Sequence, residues 1–426
     1  MFQPTRRNLI RATSTAAVLA AARAAFPSGA TAQGAGPEVK KATLGYIALT
    51  DAAPLIVAKE RGIFAKYGMP DVEVVKQASW GGTRDNLVLG GGSGGIDGAH
   101  ILTPLPYLIH TGRVVQNGQP VPMNILCRLN TNGQAISVAK SLMPHGAKLD
   151  SSPLKPAFAK KEASNKIAMT FRGGTHDLWI RYWLAAGGID PDRDVETIVV
   201  PPPQMVANMK VGTMDAFCVG EPWNDQLVHQ SLGYTACVTG EIWKDHPEKS
   251  LGMRADWVAK NPRAAEAIVA AVIEAQRWAD ELGNKEELST ILGKRAWFNV
   301  PPADILPRSK GDIEYGDGRD VKGSPLKMKF WAGHASYPFQ SHDLWFLTED
   351  QRWGILPPDL ATAPLIAAVN REDIWRAGAK MAGVAAAETP TGLSRGVETF
   401  FDGKTFDPAN PAAYLSSQTI KKIAAA

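Results

Sequence analysis

Cysteine is scarce in this 426-residue chain: Cys127, Cys218 and Cys237 are the only three, and none stands in a CxxC spacing. No long hydrophobic run is present either. The most apolar stretch, Ala12 to Ala25, falls short of the roughly 20 residues that a membrane span needs. Neither H-E-x-x-H, nor a Walker A loop, nor an EF-hand pattern occurs, and the eight histidines are scattered. No zinc or nucleotide site is therefore expected, nor any metal or cofactor. An excess of one charge is missing too, once the N-terminus is set apart. Residues 1–32 hold Arg6, Arg7, Arg11 and Arg23 and no acid; without these four, 42 basic residues face 42 acidic ones. A neutral remainder lacks the positive surplus that phosphate neutralisation requires, which excludes nucleic acid as a partner.

What is present begins with that basic N-terminus. Thr5-Arg6-Arg7-Asn8-Leu9-Ile10 precedes the alanine-rich run, and Ala30-Thr31-Ala32 supplies a small-x-small cleavage pattern. Residues 1–32 resemble a twin-arginine export signal, with Leu9 where Phe is commoner. The expectation is a periplasmic protein without a lipid anchor, since no cysteine lies near the cleavage site. In that oxidising compartment the three cysteines, all in apolar strand-like surroundings, read as buried free thiols; a Cys218–Cys237 bridge stays open.

About 390 further residues exceed what one core usually holds, so two lobes are expected. Two similar halves support this. Asn86-Leu-Val-Leu-Gly90 leads through glycines to Ile96-Asp97-Gly98-Ala99-His100-Ile101 and Pro104; Asn208-Met-Lys-Val-Gly212 leads to Met214-Asp215-Ala216-Phe217-Cys218-Val219 and Glu221-Pro222. Both read as helix end, glycine stop, Asp, short buried strand and polar exit. Each half opens alike: a strand at 43–47 runs into a helix that Asp51 is placed to cap, and one at 167–171 runs into a helix that Thr175 is placed to cap. That second helix stops at Gly187-Gly188, and strands alternating with helices argue for parallel sheets. Asn261, Pro262 and a stripe from Ile268 to Leu282 predict a further helix, ended by Gly283. Gly311 to Gly323 reads as an exposed loop, and the tryptophan-rich final third has no legible fold.

The richest segment is 76–106, read as strand, glycine turn, helix, glycine loop and strand. The first strand is expected to end at Trp80-Gly81-Gly82, with Thr83 capping the helix. Ligands in α/β sheets sit at such strand ends, where helix N-termini offer N–H groups to anions. Gly91-Gly-Ser93-Gly-Gly95 matches the letters of a nucleophile elbow and of a dinucleotide loop. Both motifs need strand before and helix after, whereas the order here is reversed. Asp245-His246-Pro247-Glu248-Lys249 reads alone as a solvated charge cluster, Asn132-Gly133-Gln134 as a turn, Trp80 as core and His176 as a capping neighbour.

Together, ASWGGTRDNLVLG from Ala78, GGIDGAHILTPLPYLI from Gly94, CVGEPWNDQLV from Cys218 and HPEKSLGMRADWV from His246 resemble the nitrate-binding proteins of bacterial ABC uptake systems. That family includes a bicarbonate-binding branch and a cytoplasmic nitrate-sensor branch, and the resemblance covers most of residues 40–380. It implies an α/β, two-lobed periplasmic binding protein of type II (venus-flytrap) with a parallel-type sheet in each lobe. The lobes would comprise 40–132, 133–243 and 244–426, the last completing the first lobe and adding a C-terminal extension. It implies a monomer that hands nitrate or nitrite to a membrane permease, without catalysis. The positions matching the family's pocket are Trp80, Gln134, His176 and Lys249, with Gly133 and Thr175 beside them.

Nitrate has three acceptor oxygens and no donor, so the ideal pocket contains only donors and positive potential. Bicarbonate brings an O–H that needs an acceptor; the bicarbonate branch meets it with an acidic residue and calcium where the nitrate branch has lysine. Aligning Lys249 to that position favours nitrate or nitrite; a one-residue slip would put Glu248 there. The rival readings are a cytoplasmic sensor and an enzyme related to thiamine-pyrimidine synthases, whose cysteine-rich motif is missing here.

Overall fold

Short, almost wholly apolar strands build two five-stranded sheets in this computed structural model, which describes residues 36–160, 164–421 and 423. The expected export signal, 1–32, lies outside the described residues. The first sheet contains β1 (Lys41–Tyr46), β2 (Asp71–Lys76), β3 (Gly98–Leu102), β4 (Met123–Arg128) and β10 (Lys249–Arg254), in the order β2-β1-β3-β10-β4. The second contains β5 (Gln134–Ala139), β6 (Lys166–Met169), β7 (Glu196–Val199), β8 (Ala216–Gly220) and β9 (Gly233–Val238), in the order β7-β6-β8-β5-β9. This is the expected two-lobed α/β architecture.

The sheets are mixed rather than purely parallel. β1, β2 and β3 pair parallel, but β10 runs antiparallel to β3 and β4; likewise β5 runs antiparallel to β8 and β9. β5 and β10 are the strands that follow each passage of the chain from one sheet to the other. A strand arriving that way enters its sheet from the opposite end and needs no crossover helix. Burial on both faces makes β3, β4, β8 and β9 buried throughout, so their sequences carry no alternation that reveals direction.

The two halves repeat down to single hydrogen bonds. Helix α2 (Trp80–Leu89) stops at Gly90 before β3, and helix α4 (Met205–Lys210) is followed by Gly212 before β8. Asp97 then accepts from the Thr43 amide at 2.8 Å, and Asp215 accepts from the Lys166 amide at 3.2 Å. In each half the carboxylate just before the inner strand clips the start of the parallel strand beside it, β1 or β6, supplying a partner that strand ends otherwise lack.

Several local expectations change. Trp80, Gly81 and Gly82 form the first turn of α2 instead of ending a strand, and Ser79 caps it by accepting from the Gly82 amide at 3.1 Å. Thr83 is inside the helix, its hydroxyl on the Ser79 carbonyl. Asp51 does not cap α1 (Ala53–Glu60); its carboxylate faces inward. Helix α3 (Thr175–Ala186) stops at Gly187 as expected, but Thr175 is its first residue and not its cap: Gly174 holds the cap position, the Thr175 hydroxyl donates to Glu248, and Asp177 accepts from the Gly173 amide. Helix α5 (Pro262–Asp280) ends three residues before Gly283, and the Asn261 side chain bonds to the Trp257 carbonyl in place of capping it. Within Gly311–Gly323 a small hairpin pairs Ile313–Glu314 with Asp320–Val321, and Ile313 and Tyr315 bury against Ala135 and Val238.

All three cysteines are free and buried. Cys218 on β8 and Cys237 on β9 both oppose Ile136 of β5, from either side. With strands about 4.8 Å apart, the two lie about 10 Å from each other, beyond the roughly 7 Å reach of a disulfide. The bridge is excluded.

Residues 244–426 divide between the two sides. α5 packs on α1 beside the first sheet, whereas helix α6 (Gln340–Arg352) carries Trp345 and Phe346 into the core of the second. Trp345 stacks on Trp179 at 5.0 Å, and Phe400, Phe406 and Tyr414 close that aromatic cluster. No helix among the described residues is long and apolar enough to cross a membrane.

Candidate functional site

Lys249 opens β10 at the junction of the sheets and is completely buried. An unpaired ammonium there would cost several kcal/mol. Two carboxylates answer it: Asp51 Oδ2 at 2.9 Å and Glu248 Oε1 at 2.7 Å. Around this triad the first lobe supplies Trp80, at the N-terminus of α2, and His100 of β3. The second lobe supplies Gln134, first residue of β5, and Thr175, His176 and Trp179 from the opening turns of α3. The positive ends of two helices therefore meet at one place.

Hydrogen bonds fix most of the orientations. Gln134 Nε2 donates to Asp51 Oδ2 at 2.9 Å, which turns its Oε1 toward His176 Nε2 at 2.7 Å. His176 must then carry its proton on Nε2, and Thr170 Oγ1, 2.5 Å from Nδ1, donates to the other nitrogen. His100 Nε2 lies 2.5 Å from Asp51 Oδ1 and donates to it. Glu248 accepts from Thr175 Oγ1 and Lys249 on Oε1 and from Trp179 Nε1 at 2.6 Å on Oε2. Every carboxylate oxygen is thus occupied by a protein donor, several of them reaching across from the other lobe.

One donor is different. Trp80 Nε1 is buried and has no hydrogen-bond partner among the described residues, although its ring packs 5.3 Å from His100 and 6.0 Å from Lys249 Nζ. An orphaned buried N–H costs about 1 to 3 kcal/mol, so few persist without use. Lys249 Nζ also lies 3.3 Å from His176 Nε2, but that nitrogen already carries a proton, so beyond its two carboxylate partners the third ammonium N–H has no acceptor there.

Burial opposes the charge on Lys249, but Asp51 and Glu248 outweigh it and hold the ammonium above its ordinary value. Burial also opposes ionisation of Asp51; Lys249 and His100 prevail and keep it well below the carboxylate range. Glu248 is raised by burial despite Lys249. His176 and His100 are lowered, first by burial, and the nearby His246 is lowered to about 3. Histidine nitrogen NMR at pH 5.5 should find His176 and His246 neutral, while His229, raised against burial by Asp304 and Asp225, is protonated. Because the values of His176, His100 and His246 are depressed by folding, their contribution to stability is complete above pH about 6.5 and is lost as pH falls toward the lowered values. Each loses about 1.4 kcal/mol per pH unit in that window.

The residues expected from sequence are thus placed as follows. Trp80, Gln134, Thr175, His176 and Lys249 converge. Gly133 stands behind them at φ 86°, where an added Cβ would lie 2.2 Å from Met328; its place is a backbone requirement beside a cavity of about 30 Å³. A pocket of donors alone is not what forms, because a buried ammonium requires counter-charge. Asp51, His100 and Trp179 were missed, and Glu248 was weighed only as a one-residue alternative to Lys249. Glu248 had a visible signal in its adjacency to Lys249: at the strand's first residue both side chains still reach inward.

The residues match the NMT1-like family over 35–293. The chain is 60% identical to the nitrate/nitrite binding protein NrtA of Synechocystis sp. PCC 6803 over 91% of its own length and 87% of that protein. The crystal structure of that periplasmic nitrate-binding protein superposes with a TM-score of 0.89, covering 91% of this chain and 100% of that one. The bicarbonate-binding protein CmpA of Synechococcus elongatus is 44% identical, over 90% of this chain and 88% of the relative. The nitrate import ATP-binding protein NrtC of Synechocystis is 35% identical, over 91% of this chain and 57% of its own length.

Proposed function

Because the chain belongs to the NMT1-like family and, within it, to the periplasmic nitrate-binding proteins of ABC uptake systems, we propose that it is the substrate-binding component of an importer for nitrate or nitrite. It captures the anion in the periplasm and hands it to an inner-membrane permease; it is a monomer, uses no cofactor and catalyses nothing. Its ligand-binding residues are Trp80, Gln134, Gly133, His176, Thr175 and Lys249.

The observation that carries this reading is the unpartnered indole N–H of Trp80 beside Lys249. An anion lodged there accepts one bond from the indole and one from the ammonium, and both are charge-assisted. Gln134 and His176, already locked to each other, form the wall from the second lobe. Closure follows because the site exists only when both lobes contribute.

Nitrate is favoured over bicarbonate by the state of the acceptors. The oxygens of Asp51 and Glu248 are held by His100, Gln134, Lys249, Thr175 and Trp179. His100 Nδ1 has no partner among the described residues, but a bicarbonate O–H reaching a carboxylate would displace one of these donors, at about 1 to 3 kcal/mol. Calorimetric titration with nitrate, nitrite and bicarbonate, each with and without calcium, tests this. Nitrate and nitrite should bind without calcium and bicarbonate should not; tighter calcium-dependent bicarbonate binding would overturn the assignment. Nitrate affinity should also stay flat from pH 6.5 to 8.5, since Lys249 remains charged and His100 and His176 remain neutral through that range.

Export through a twin-arginine signal at residues 1–32 belongs to the same proposal. Mass spectrometry of the mature protein should find a terminus at or near Gln33. An intact Met1 on protein recovered from the cytoplasm would favour the sensor instead.

A further inference from the structure

A second feature of the cleft has no part in holding the anion. Between the lobes lies a solvent-connected cleft of about 620 Å³ whose wall includes Ser79, Arg84, Arg113, Thr170, Phe171 and Arg172. Three of its lining residues are arginines and none is acidic, in a chain whose acids and bases otherwise balance beyond residue 32. At its inner end it reaches the site directly: Ser79 precedes Trp80, and Thr170 is the hydroxyl that touches His176.

The three guanidiniums differ in how far they are neutralised. Arg84, part-buried on α2, pairs with the exposed Asp85 at 2.8 Å and lies 5.9 Å over the ring of Phe171 in the other lobe. Arg113 and Arg172 are exposed, one from each lobe, and neither has an ion-pair partner among the described residues. A structural role would tie them to carboxylates; instead they present uncompensated charge where a small anion must pass.

Resting on the reading of an anion-binding protein, we propose that Arg84, Arg113 and Arg172 form an electrostatic mouth that draws nitrate-like oxyanions into the cleft and raises their association rate. The charges act on arrival, not on the bound anion, because the closed site is walled by Trp80, His176 and Lys249. A cleft lined by one sign of charge between low-dielectric walls focuses field lines. Such focusing speeds association by about 10-fold or more at low ionic strength.

Stopped-flow tryptophan fluorescence with sodium nitrate measures this on the full mature protein. The double variant Arg113→Gln/Arg172→Gln should lower kon at least about threefold at low ionic strength, leave koff unchanged and flatten the salt dependence, the difference vanishing in 0.5 M salt by screening, about 4 Å of Debye length. Both side chains are exposed, so folding is not at stake. A control, Arg193→Gln/Arg263→Gln, removes the same net charge from exposed positions off the cleft wall and should leave kon as in wild type. An unchanged kon in the mouth variant, an equal fall in the control, or a rise in koff that accounts for all the lost affinity would each overturn the proposal. Wild-type protein without any nitrate response would instead overturn the reading beneath it.

Discussion

Lys249→Met should abolish nitrate binding within the range of calorimetry and at the same time destabilise the ligand-free protein by about 3 to 5 kcal/mol. The two losses have different origins. Nitrate loses a charge-assisted donor, worth about 1.5 to 3 kcal/mol or roughly 10- to 150-fold in affinity, and must then approach two buried carboxylates with no cation between them. Folding loses the counter-ion itself: Asp51 and Glu248 were both within 2.9 Å of Nζ and are left facing one another without compensation.

A second substitution separates these effects. Asp51→Asn in the Lys249→Met background removes one of the opposed charges while keeping the side chain's shape, so chemical denaturation should show much of the stability recovered. Nitrate binding should stay absent, because the donor is still gone. The two changes touch the same network, so their energies should be strongly non-additive in a double-mutant cycle. Additive stability effects would mean that Lys249 and Asp51 do not work as a pair; nitrate binding regained in the double variant would mean that the ammonium serves only folding.

The roles of these residues were unequally visible in the sequence, for a physical reason. Spacing reports local geometry: glycine stops at Gly90 and Gly212 and the aspartates before β3 and β8 announced the repeated halves, and Asp97 and Asp215 indeed clip matching strands. Asp51, between a strand and a helix, looked like a cap because capping is the local use of such a residue. Its real partners, His100, Gln134 and Lys249, are 49, 83 and, by position, 198 residues away, and no spacing rule spans that distance. Glu248 was hidden for the opposite reason, since adjacent charges normally share a solvated surface. Strand direction was equally silent: β5 and β10 are as buried as their neighbours, so composition gave no sign that they run the other way. The residues of the pocket came from the resemblance, and the counter-charges that make their burial possible came only from the fold.

Trp80→Phe should weaken nitrate binding about 10- to 150-fold while leaving the free protein close to wild type in stability. The indole N–H is buried without a partner in the described structure, so its removal relieves a desolvation cost of about 1 to 3 kcal/mol. The smaller ring leaves a gap against His100, which works in the other direction by a comparable amount. Binding has no such compensation, because the anion loses one of its two charge-assisted donors. Incorporating benzothienylalanine at position 80 sharpens the comparison: sulfur replaces the N–H at nearly constant shape, the packing term drops out, and the melting temperature should equal or exceed that of wild type. Nitrate affinity in that protein should fall as far as in Trp80→Phe. If affinity were kept while the melting temperature rose, the indole N–H would be a tolerated defect of a closed cleft, and the anion would have to be held by Lys249 and the second lobe alone.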